Sequence, residues 1–344
     1  MKVAIDVSQV AYGTGVSVYV RELVSALVKS DKVSLYLFAG SLRMRAQIDD
    51  AFPGFAIRHL PLPPKIADIV WNRLHMLPID YFLGEFDLLH TSDWTEPKSS
   101  KPKVTTIHDI SPITHPQYTP EAIVDLTKRR IELIKHESRS IIVPSNHVKN
   151  ECVKFGINEE KLHVVPEAVS ETFLHKSKNV KRDLSGDYIL AVGTHPRKNL
   201  PTTISAFKKV KGKHGVKRLV VVGSGKSEDG IEFTGKVSEE KLIDLYNSAL
   251  CLCYPSIDEG FGLPILEAMS LGVPVVTSNH GATKETAGGA AILIDPIDFN
   301  SVANGIFEAI NNHKLLSSKG LRVSSKFSWG ESASKTIEVY KSSV

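Results

Sequence analysis

Short runs of apolar, β-branched residues alternate along this chain with amphipathic segments, and the alternation occurs twice. In the first half, the predicted strands cover residues 3–7, 33–38, 87–90, 104–108 and 140–143. In the second half, they cover residues 189–192, 219–222, 250–254, 273–277 and 291–294. Strands that alternate with helices are typical of βαβ units, which build parallel sheets. The sequence therefore predicts an α/β protein with two parallel sheets.

The length of the chain supports the same division. A chain of 344 residues exceeds the size of one typical hydrophobic core. We place one domain at residues 1–170, a polar linker at 171–187 and a second domain at 188–328, followed by a last helix. The formal net charge of +4 is too small to indicate a nucleic-acid partner.

The three cysteines indicate a reducing compartment. Cys152, Cys251 and Cys253 provide neither a disulfide framework nor the spacing of a metal site. Cys251 and Cys253 alternate within an apolar run and are predicted to share one face of a buried strand. The chain opens directly on a predicted strand, and no apolar run reaches the length of a membrane span. We expect a cytoplasmic protein without a signal peptide.

Two carboxylates flank a glycine-rich turn in the second half of the chain. Glu259 and Glu267 enclose the segment Gly260, Phe261, Gly262 and Leu263, which is predicted to open a helix. Glycines let the backbone approach a ligand closely, and the free N–H groups of a helix start can hold a phosphate. Carboxylates accept hydrogen bonds from sugar hydroxyls. With Glu267 expected in the first helical turn, the segment predicts a site for a nucleotide sugar.

Further polar residues follow other predicted strands. Ligands bind at the carboxyl ends of parallel strands, so these residues are candidates for the same function. The candidates are Gly13 and Gly15, His108 with its neighbour Asp109, and Thr194, Arg197 and Lys198. The two cations can neutralise a diphosphate. The chain has no Asp-x-Asp motif, so we expect no metal site of that type.

Taken together and in this order, these motifs resemble the retaining glycosyltransferases of family 4, whose Glu-x7-Glu pattern corresponds to residues 259–267. The resemblance extends over nearly the whole chain. It implies the GT-B fold, in which two Rossmann-like domains face a cleft. The first domain would bind the acceptor and the second the donor, and the last helix, at 329–344, would return to the first domain.

The resemblance also implies roles for the candidate residues. His108 would lie beside the transferred sugar, and the loop of Gly13 and Gly15 near the diphosphate. Arg197 and Lys198 would stabilise that diphosphate, with Thr194 standing where many members carry an arginine. Glu259 would accept hydrogen bonds from the sugar and Glu267 from the ribose. The implied reaction is sugar transfer from a UDP- or GDP-sugar to a glycan or glycolipid acceptor, with retention and without metal or cofactor.

Two other functions stay open at this point. One is a different GT-B enzyme, such as a sugar-nucleotide epimerase. The other is a non-catalytic protein that binds nucleotide sugars. The sequence does not identify the base, the sugar or the acceptor.

Residues 63–80 allow two interpretations. Apolar side chains recur there at helical spacing, and Lys65, Trp71 and Arg73 accompany them. A second segment, 128–139, is basic and includes Arg130 and Lys135. This mixture is typical of a helix that lies on an anionic membrane surface, where family members often act, but also of a core helix with a solvated face. The first interpretation predicts salt-sensitive peripheral contact with the inner membrane surface through Lys65, Trp71 and Arg73.

Overall fold

In the computed structural model, residues 1–13, 15–40, 43–92, 94–177 and 186–344 are described. They divide into two compact units. One consists of Met1–Glu167 with Trp329–Val344, and the other of Ala168–Ser328. Each unit contains one parallel sheet with helices on its faces, so the two predicted α/β domains are present.

The first unit has a seven-stranded parallel sheet in the order β3-β2-β1-β4-β5-β6-β7. Its strands are β1 Lys2–Asp6, β2 Ser34–Ala39, β3 Arg58–His59, β4 Leu88–Ser92, β5 Lys103–Thr106, β6 Ser140–Val143 and β7 Leu162–Val164. Its helices are α1 Gly15–Ser30, α2 Arg45–Ala51, α3 Pro64–Ala67, α4 Asp80–Leu83, α5 Ser111–Thr114, α6 Glu121–Glu137 and α7 Asn146–Lys154. Short 3-10 helices cover Ser8–Tyr12, Pro116–Tyr118 and Glu159–Lys161, and a π-helical segment covers Asp68–Arg73.

The second unit has a six-stranded parallel sheet in the order β10-β9-β8-β11-β12-β13. Its strands are β8 Tyr188–Val192, β9 Arg218–Val222, β10 Ile231–Phe233, β11 Cys251–Tyr254, β12 Val275–Ser278 and β13 Ile292–Ile294. Its helices are α8 Glu171–Ser177, α9 Leu200–Val210, α10 Glu239–Asn247, α11 Leu263–Ser270, α12 Gly281–Ala287, α13 Phe299–Asn311 and α14 His313–Ser324. Pro196–Lys198 forms a 3-10 helix after β8.

Hydrophobic side chains cover both faces of the second sheet, as expected where helices pack on each side. Ile189, Val221 and Cys253 belong to one buried cluster, and Leu190, Val220 and Leu252 to another. Cys251 and Cys253 lie in the same cluster, so the prediction that they share one face of a buried strand is confirmed. All three cysteines are buried and none forms a disulfide.

The last helix, α15 Trp329–Ser343, belongs to the first unit. The Tyr340 hydroxyl lies 2.6 Å from Nδ1 of His90, and Ser343 Oγ donates to Ser140 Oγ over 2.8 Å. Ser332 Oγ donates to the carbonyl of Pro166. Buried polar groups need such partners, so these bonds fix the helix against the sheet.

The sequence-based assignment differs from the structure in two respects. Residues 171–177 of the predicted linker form α8, whose Phe173 is buried in the core of the second unit. These residues are therefore part of that unit, while residues 178–185 lie outside the described chain. Strands β3, β7 and β10 were not predicted. Each has only two or three residues, too few for a periodic signal.

The π-helical segment Asp68–Arg73 corrects part of the membrane hypothesis. Trp71 is only 2% exposed and donates its indole N–H to the carbonyl of Leu77, so it is a core residue. Arg130 is also buried, and it pairs with Glu96 over 3.3 Å. Neither side chain can contact a membrane surface. In the described part of the chain, no helix is long and apolar enough to cross a bilayer.

Candidate functional site

The strand order of the second sheet changes direction between β8 and β11. The connections that follow β8 and β11 run to opposite sides of the sheet, which opens a crevice at the carboxyl ends of these two strands. Two loops meet at this point. The Arg197 carbonyl accepts hydrogen bonds from the N–H of Ile257 over 2.8 Å and from Ser256 Oγ over 3.0 Å. These bonds hold the loop after β8 against the loop after β11.

Lys198 and Glu259 form an ion pair in this crevice. The Lys198 ammonium lies 2.6 Å from Glu259 Oε1, with 21% and 11% of the two side chains exposed. The same oxygen accepts hydrogen bonds from the Tyr254 hydroxyl over 2.9 Å and from Ser256 Oγ over 2.6 Å. No described residue donates to Glu259 Oε2. One carboxylate oxygen is therefore saturated, and the other is available to a ligand.

Tyr254 contacts both members of the pair. Its hydroxyl is hydrogen-bonded to the Lys198 ammonium, which also lies 4.7 Å from the centre of its ring. Burial, followed by the neighbouring Glu259 carboxylate, raises the pKa of Tyr254 well above its ordinary value. The hydroxyl therefore stays protonated and keeps donating to Glu259.

Gly193 makes room for the lysine stem. Its φ is +90°, a left-handed conformation that glycine adopts without strain. A Cβ at this position would lie 3.2 Å from Lys198 Cγ. The glycine after β8 thus allows the lysine side chain to pass close to the backbone and reach Glu259.

Two of the predicted donor-binding residues, Thr194 and Phe261, pack against other residues of the second unit. Thr194 packs against Gly223, where an added Cβ would lie 2.6 Å from Thr194 Cγ2. Phe261 is a core residue whose ring stands edge-on to Phe327, so its side chain does not line an open site. Its backbone is fixed as well, because Thr286 Oγ1 donates to its carbonyl over 2.6 Å.

The start of α11 has the geometry of a phosphate cradle. Gly262 caps the helix with φ 101° and ψ 48°. The first N–H groups of a helix usually have no intrahelical acceptor. Here Pro264 has no N–H and the N–H of Ile265 donates to the Gly262 carbonyl over 2.9 Å, so the N–H of Leu263 is the one at the helix start that is available for an anion. The helix begins at Leu263, which makes Pro264 its second residue and places Glu267 in the second turn. The prediction that Glu267 lies in the first turn was therefore wrong by one turn.

Glu267 is held by a buried tyrosine from α10. The Tyr246 hydroxyl donates to Glu267 Oε2 over 2.8 Å. Burial raises the pKa of Glu267 to about 7, with the Tyr246 hydrogen bond acting in the opposite direction. The carboxyl group thus changes charge near neutral pH.

In the first unit, His108 follows β5 and is oriented by Glu167. Its Nδ1 lies 3.1 Å from Glu167 Oε1, and its ring packs edge-on against Tyr19 at 4.5 Å. A carboxylate only accepts hydrogen bonds, so Nδ1 carries the proton and Nε2 of a neutral ring is an acceptor. Nε2 is buried without a partner among the described residues.

Asp109 shapes the loop that follows His108. Its Oδ1 accepts hydrogen bonds from the N–H of Ser111 over 3.0 Å and from its hydroxyl over 2.6 Å, which closes an Asx turn. Gly13 ends the 3-10 helix Ser8–Tyr12 with φ 62°, and Gly15 begins α1. A Cβ on Gly15 would meet nothing within 4 Å, which leaves its surroundings open.

Sequence reasoning missed four residues of this arrangement: Tyr246, Tyr254, Ser256 and Glu167. Tyr254 and Ser256 had a usable signal, because they are polar and stand at the end of an apolar strand. Tyr246 and Glu167 had none. They lie 21 and 59 positions from the residues they contact, and only the fold brings them together.

Comparison with known sequences gives two family matches. Residues 13–173 match Glycosyltransferase Family 4, and residues 186–312 match the Glycosyl transferases group 1. O-antigen chain mannosyltransferase B of Escherichia coli is 28% identical, over 99% of this chain and 100% of its own length. MMP alpha-(1->4)-mannosyltransferase of Mycolicibacterium hassiacum is 27% identical over 76% of this chain and 72% of its own.

Solved structures share the fold. Sucrose-phosphate synthase from Thermosynechococcus elongatus superimposes with a TM-score of 0.70 at 18% identity, covering 99% of this chain and 98% of its own. HepE from Anabaena, solved in complex with UDP and glucose, gives a TM-score of 0.71 at 16% identity over 99% and 100% of the two chains. The fold, the order of the motifs and the two family matches agree: the chain belongs to the family 4 glycosyltransferases and has the GT-B fold.

Proposed function

We propose that this glycosyltransferase moves a sugar from a nucleoside diphosphate sugar to a hydroxyl group of a cell-envelope polysaccharide or glycolipid, with retention and without a metal ion. The observation that carries the proposal is the cluster of Lys198, Tyr254 and Glu259 at the crevice of the second sheet. The names of the relatives, which include an O-antigen mannosyltransferase, support the acceptor class and make mannose the first sugar to test.

In this proposal, Lys198 leaves Glu259 when the donor binds and pairs with the donor diphosphate instead. In the structure, Lys198 is paired with that carboxylate. A diphosphate carries more negative charge than one carboxylate and would attract the ammonium. Glu259 would then accept hydrogen bonds from the hydroxyls of the donor sugar. The cluster of Lys198, Tyr254 and Glu259 would thereby contact both the diphosphate and the sugar of the donor.

Negative charge grows on the diphosphate as the bond to the sugar breaks. Lys198, Arg197 and the Leu263 N–H at the start of α11 would stabilise this charge, which is the form of catalysis that needs no metal. The acceptor oxygen would bond to the anomeric carbon on the face that the phosphate leaves, and a phosphate oxygen would take the acceptor proton. Retention then needs no enzymatic nucleophile.

His108 would contribute from the first unit. Because Glu167 fixes the proton on Nδ1, Nε2 would accept a hydrogen bond from a sugar hydroxyl. The resemblance to the family implies that this residue lies beside the transferred sugar, and the buried acceptor without a partner supports that role.

Peripheral membrane contact is proposed through a different set of residues from the one that the sequence indicated, because Trp71 is buried. Ile66, Ile69, Leu74 and Leu77 are exposed, and Leu74 reaches 59%. Lys65 and Arg73 flank them, although Arg73 also pairs with Asp68 over 3.0 Å. Apolar side chains beside cations are typical of an interfacial segment on anionic lipid.

The proposed activity is tested by a transfer assay. Purified protein is incubated with UDP- or GDP-sugars, starting with GDP-mannose, and mannose-terminated oligosaccharides, with and without EDTA. We expect a new linkage with the anomeric configuration of the donor, read by NMR, and an unchanged rate in EDTA. Donor binding without transfer, or epimerisation of the donor alone, would contradict transferase chemistry. A product with inverted anomeric configuration would contradict retention. Loss of transfer activity in EDTA that Mg²⁺ or Mn²⁺ restores would contradict metal independence.

Lys198→Met should lower kcat by about 10²-fold or more, because a charge that stabilises the leaving group is lost. Methionine keeps the stem that packs over Gly193. Lys208→Ala removes an exposed lysine from the same unit and should leave kcat unchanged. Thermal melting checks that both variants fold. A folded Lys198→Met enzyme with normal kcat would remove this lysine from the mechanism.

The affinity for a nucleoside diphosphate should fall as pH drops from 8 to 6. Glu267 has a pKa of about 7, so it becomes protonated in this range and loses its charge-assisted bonds to ribose. Glu267→Gln should bind more weakly at pH 8, by about 1–3 kcal/mol, and should lack this part of the pH dependence. Terminal phosphates titrate in the same range, so the difference between the two proteins in calorimetry is the relevant quantity. If the unmodified protein and Glu267→Gln showed the same affinity at every pH, the contact between Glu267 and the ribose would be ruled out.

Binding to vesicles that contain anionic lipid should be measurable at low salt and should decrease as salt screens the charges. Replacing Ile66, Ile69 and Leu74 with serine should abolish co-sedimentation. Ile297→Ser, at an exposed apolar residue of the second unit, is the matched control and should have no effect. No co-sedimentation of the unmodified protein at low salt, or equal binding by all variants, would contradict membrane contact.

A further inference from the structure

A pocket lies at the crevice of the first sheet, where the strand order changes direction between β1 and β4. It has a volume of about 60 Å³. The loop after β1 contributes Gln9 and Tyr12, the loop after β4 contributes Trp94, and the π-helical segment contributes Asp68 and Trp71. Parallel sheets bind ligands at this position, and no role described above uses these side chains.

Two aromatic rings form the rim of this pocket. The rings of Tyr12 and Trp94 lie 5.8 Å apart, and the side chains are 44% and 42% exposed. The other two tryptophans, Trp71 and Trp329, are each 2% exposed. Large aromatic surfaces are usually buried, so a pair that stays exposed at a pocket indicates a ligand surface.

The exposed position of Trp94 is fixed by the fold. The side-chain amide of Asn72 donates to the Trp94 carbonyl over 2.7 Å and to Asp68 Oδ1 over 3.0 Å. Its oxygen accepts a hydrogen bond from the N–H of Glu96 over 2.9 Å. Asn72 is itself buried, so it ties the tryptophan loop to the π-helical segment. The backbone of Trp94 is therefore held in place at the rim of the pocket.

A buried polar atom lines the pocket without a partner. Gln9 is 1% exposed, and its amide nitrogen donates to the carbonyl of Ser92. Its Oε1 receives no hydrogen bond from any described residue. A buried acceptor without a donor is unfavourable, so this oxygen is suited to accept from a hydroxyl group that enters the pocket.

The composition of the lining excludes an anionic ligand. Asp6 and Asp68 are acidic, and among the described residues that line the pocket none is a lysine, arginine or histidine. A phosphate would be repelled, whereas a neutral hydroxylated ligand can donate to these acceptors. The volume suffices for a hydroxyl or hydroxymethyl group. The ring of a sugar would remain at the rim.

We propose that this pocket binds a sugar residue of the acceptor glycan. The apolar face of the sugar ring lies against Tyr12 and Trp94, and one of its hydroxyl groups donates to Gln9 Oε1. The inference rests on the proposed glycosyl transfer, since it assigns the acceptor end of that reaction to the first unit. It makes Trp94 a specificity-determining residue.

Tryptophan fluorescence reports on this binding, because Trp94 is exposed at the rim and the buried Trp71 lines the same pocket. Titrating the intact protein with methyl glycosides of mannose, glucose and galactose should give a saturable change in tryptophan fluorescence with at least one of them. Trp94→Ala should abolish the change. In the transfer assay, Trp94→Ala should raise the acceptor KM by at least about tenfold and leave kcat and the nucleotide affinity within about twofold.

Two control variants separate stacking from general effects. Trp94→Phe keeps an aromatic face and should restore most of the acceptor affinity. Phe55→Ala, at another exposed aromatic residue of the first unit, should leave all parameters unchanged. Inorganic phosphate should not alter the fluorescence or compete with the glycoside.

The outcomes distinguish this inference from the proposed function. If the protein binds nucleotide and transfers sugar while Trp94→Ala keeps its acceptor KM, the pocket is not the acceptor site. Competition by phosphate would also overturn the inference. If the protein neither binds nucleotide nor transfers sugar, the proposed function fails, and the glycoside titration alone decides whether the pocket binds a sugar.

Discussion

The order of the strands in each sheet is the constraint on which the candidate sites depend. In both sheets the chain begins in the middle, builds toward one edge, and then returns to build toward the other. The return leaves a gap between loops that depart in opposite directions, at β1 and β4 in one sheet and at β8 and β11 in the other. Polar residues placed after these strands face a space that the fold itself keeps open. The ion pair of Lys198 and the pocket beside Trp94 occupy these two places.

The ion pair is poorly explained as a device for stability. Desolvating two charges costs several kcal/mol, and a pair of partly buried charges often adds nothing to the free energy of unfolding. Here the Tyr254 and Ser256 hydroxyls offset part of that cost by donating to the same carboxylate oxygen. Four polar groups thus hold one another in position at the end of β11. Such preorganisation is what electrostatic catalysis requires, since the charges need not rearrange when the reaction begins.

Local patterns predicted most of the fold because each strand carries its own signal. The two sheets and the buried face of β11 follow from alternation and apolar runs. The prediction that Trp71 contacts a membrane surface was wrong for a physical reason. Residues 66–77 carry apolar side chains on both faces, so their periodicity does not indicate which face meets the core, and the structure buries Trp71 while Ile69 and Leu74 remain exposed. Glu167, Tyr246 and Asn72 could not be assigned, because their partners are distant in sequence.

The central claim is that the crevice at β8 and β11 holds the diphosphate of the donor. A crystal structure of the protein with a bound nucleoside diphosphate tests it most directly. The account predicts that the terminal phosphate lies against the Lys198 ammonium and the Leu263 N–H at the start of α11, that Lys198 has left Glu259, and that the ribose contacts Glu267. A diphosphate bound elsewhere, with the ion pair of Lys198 and Glu259 intact, would contradict it.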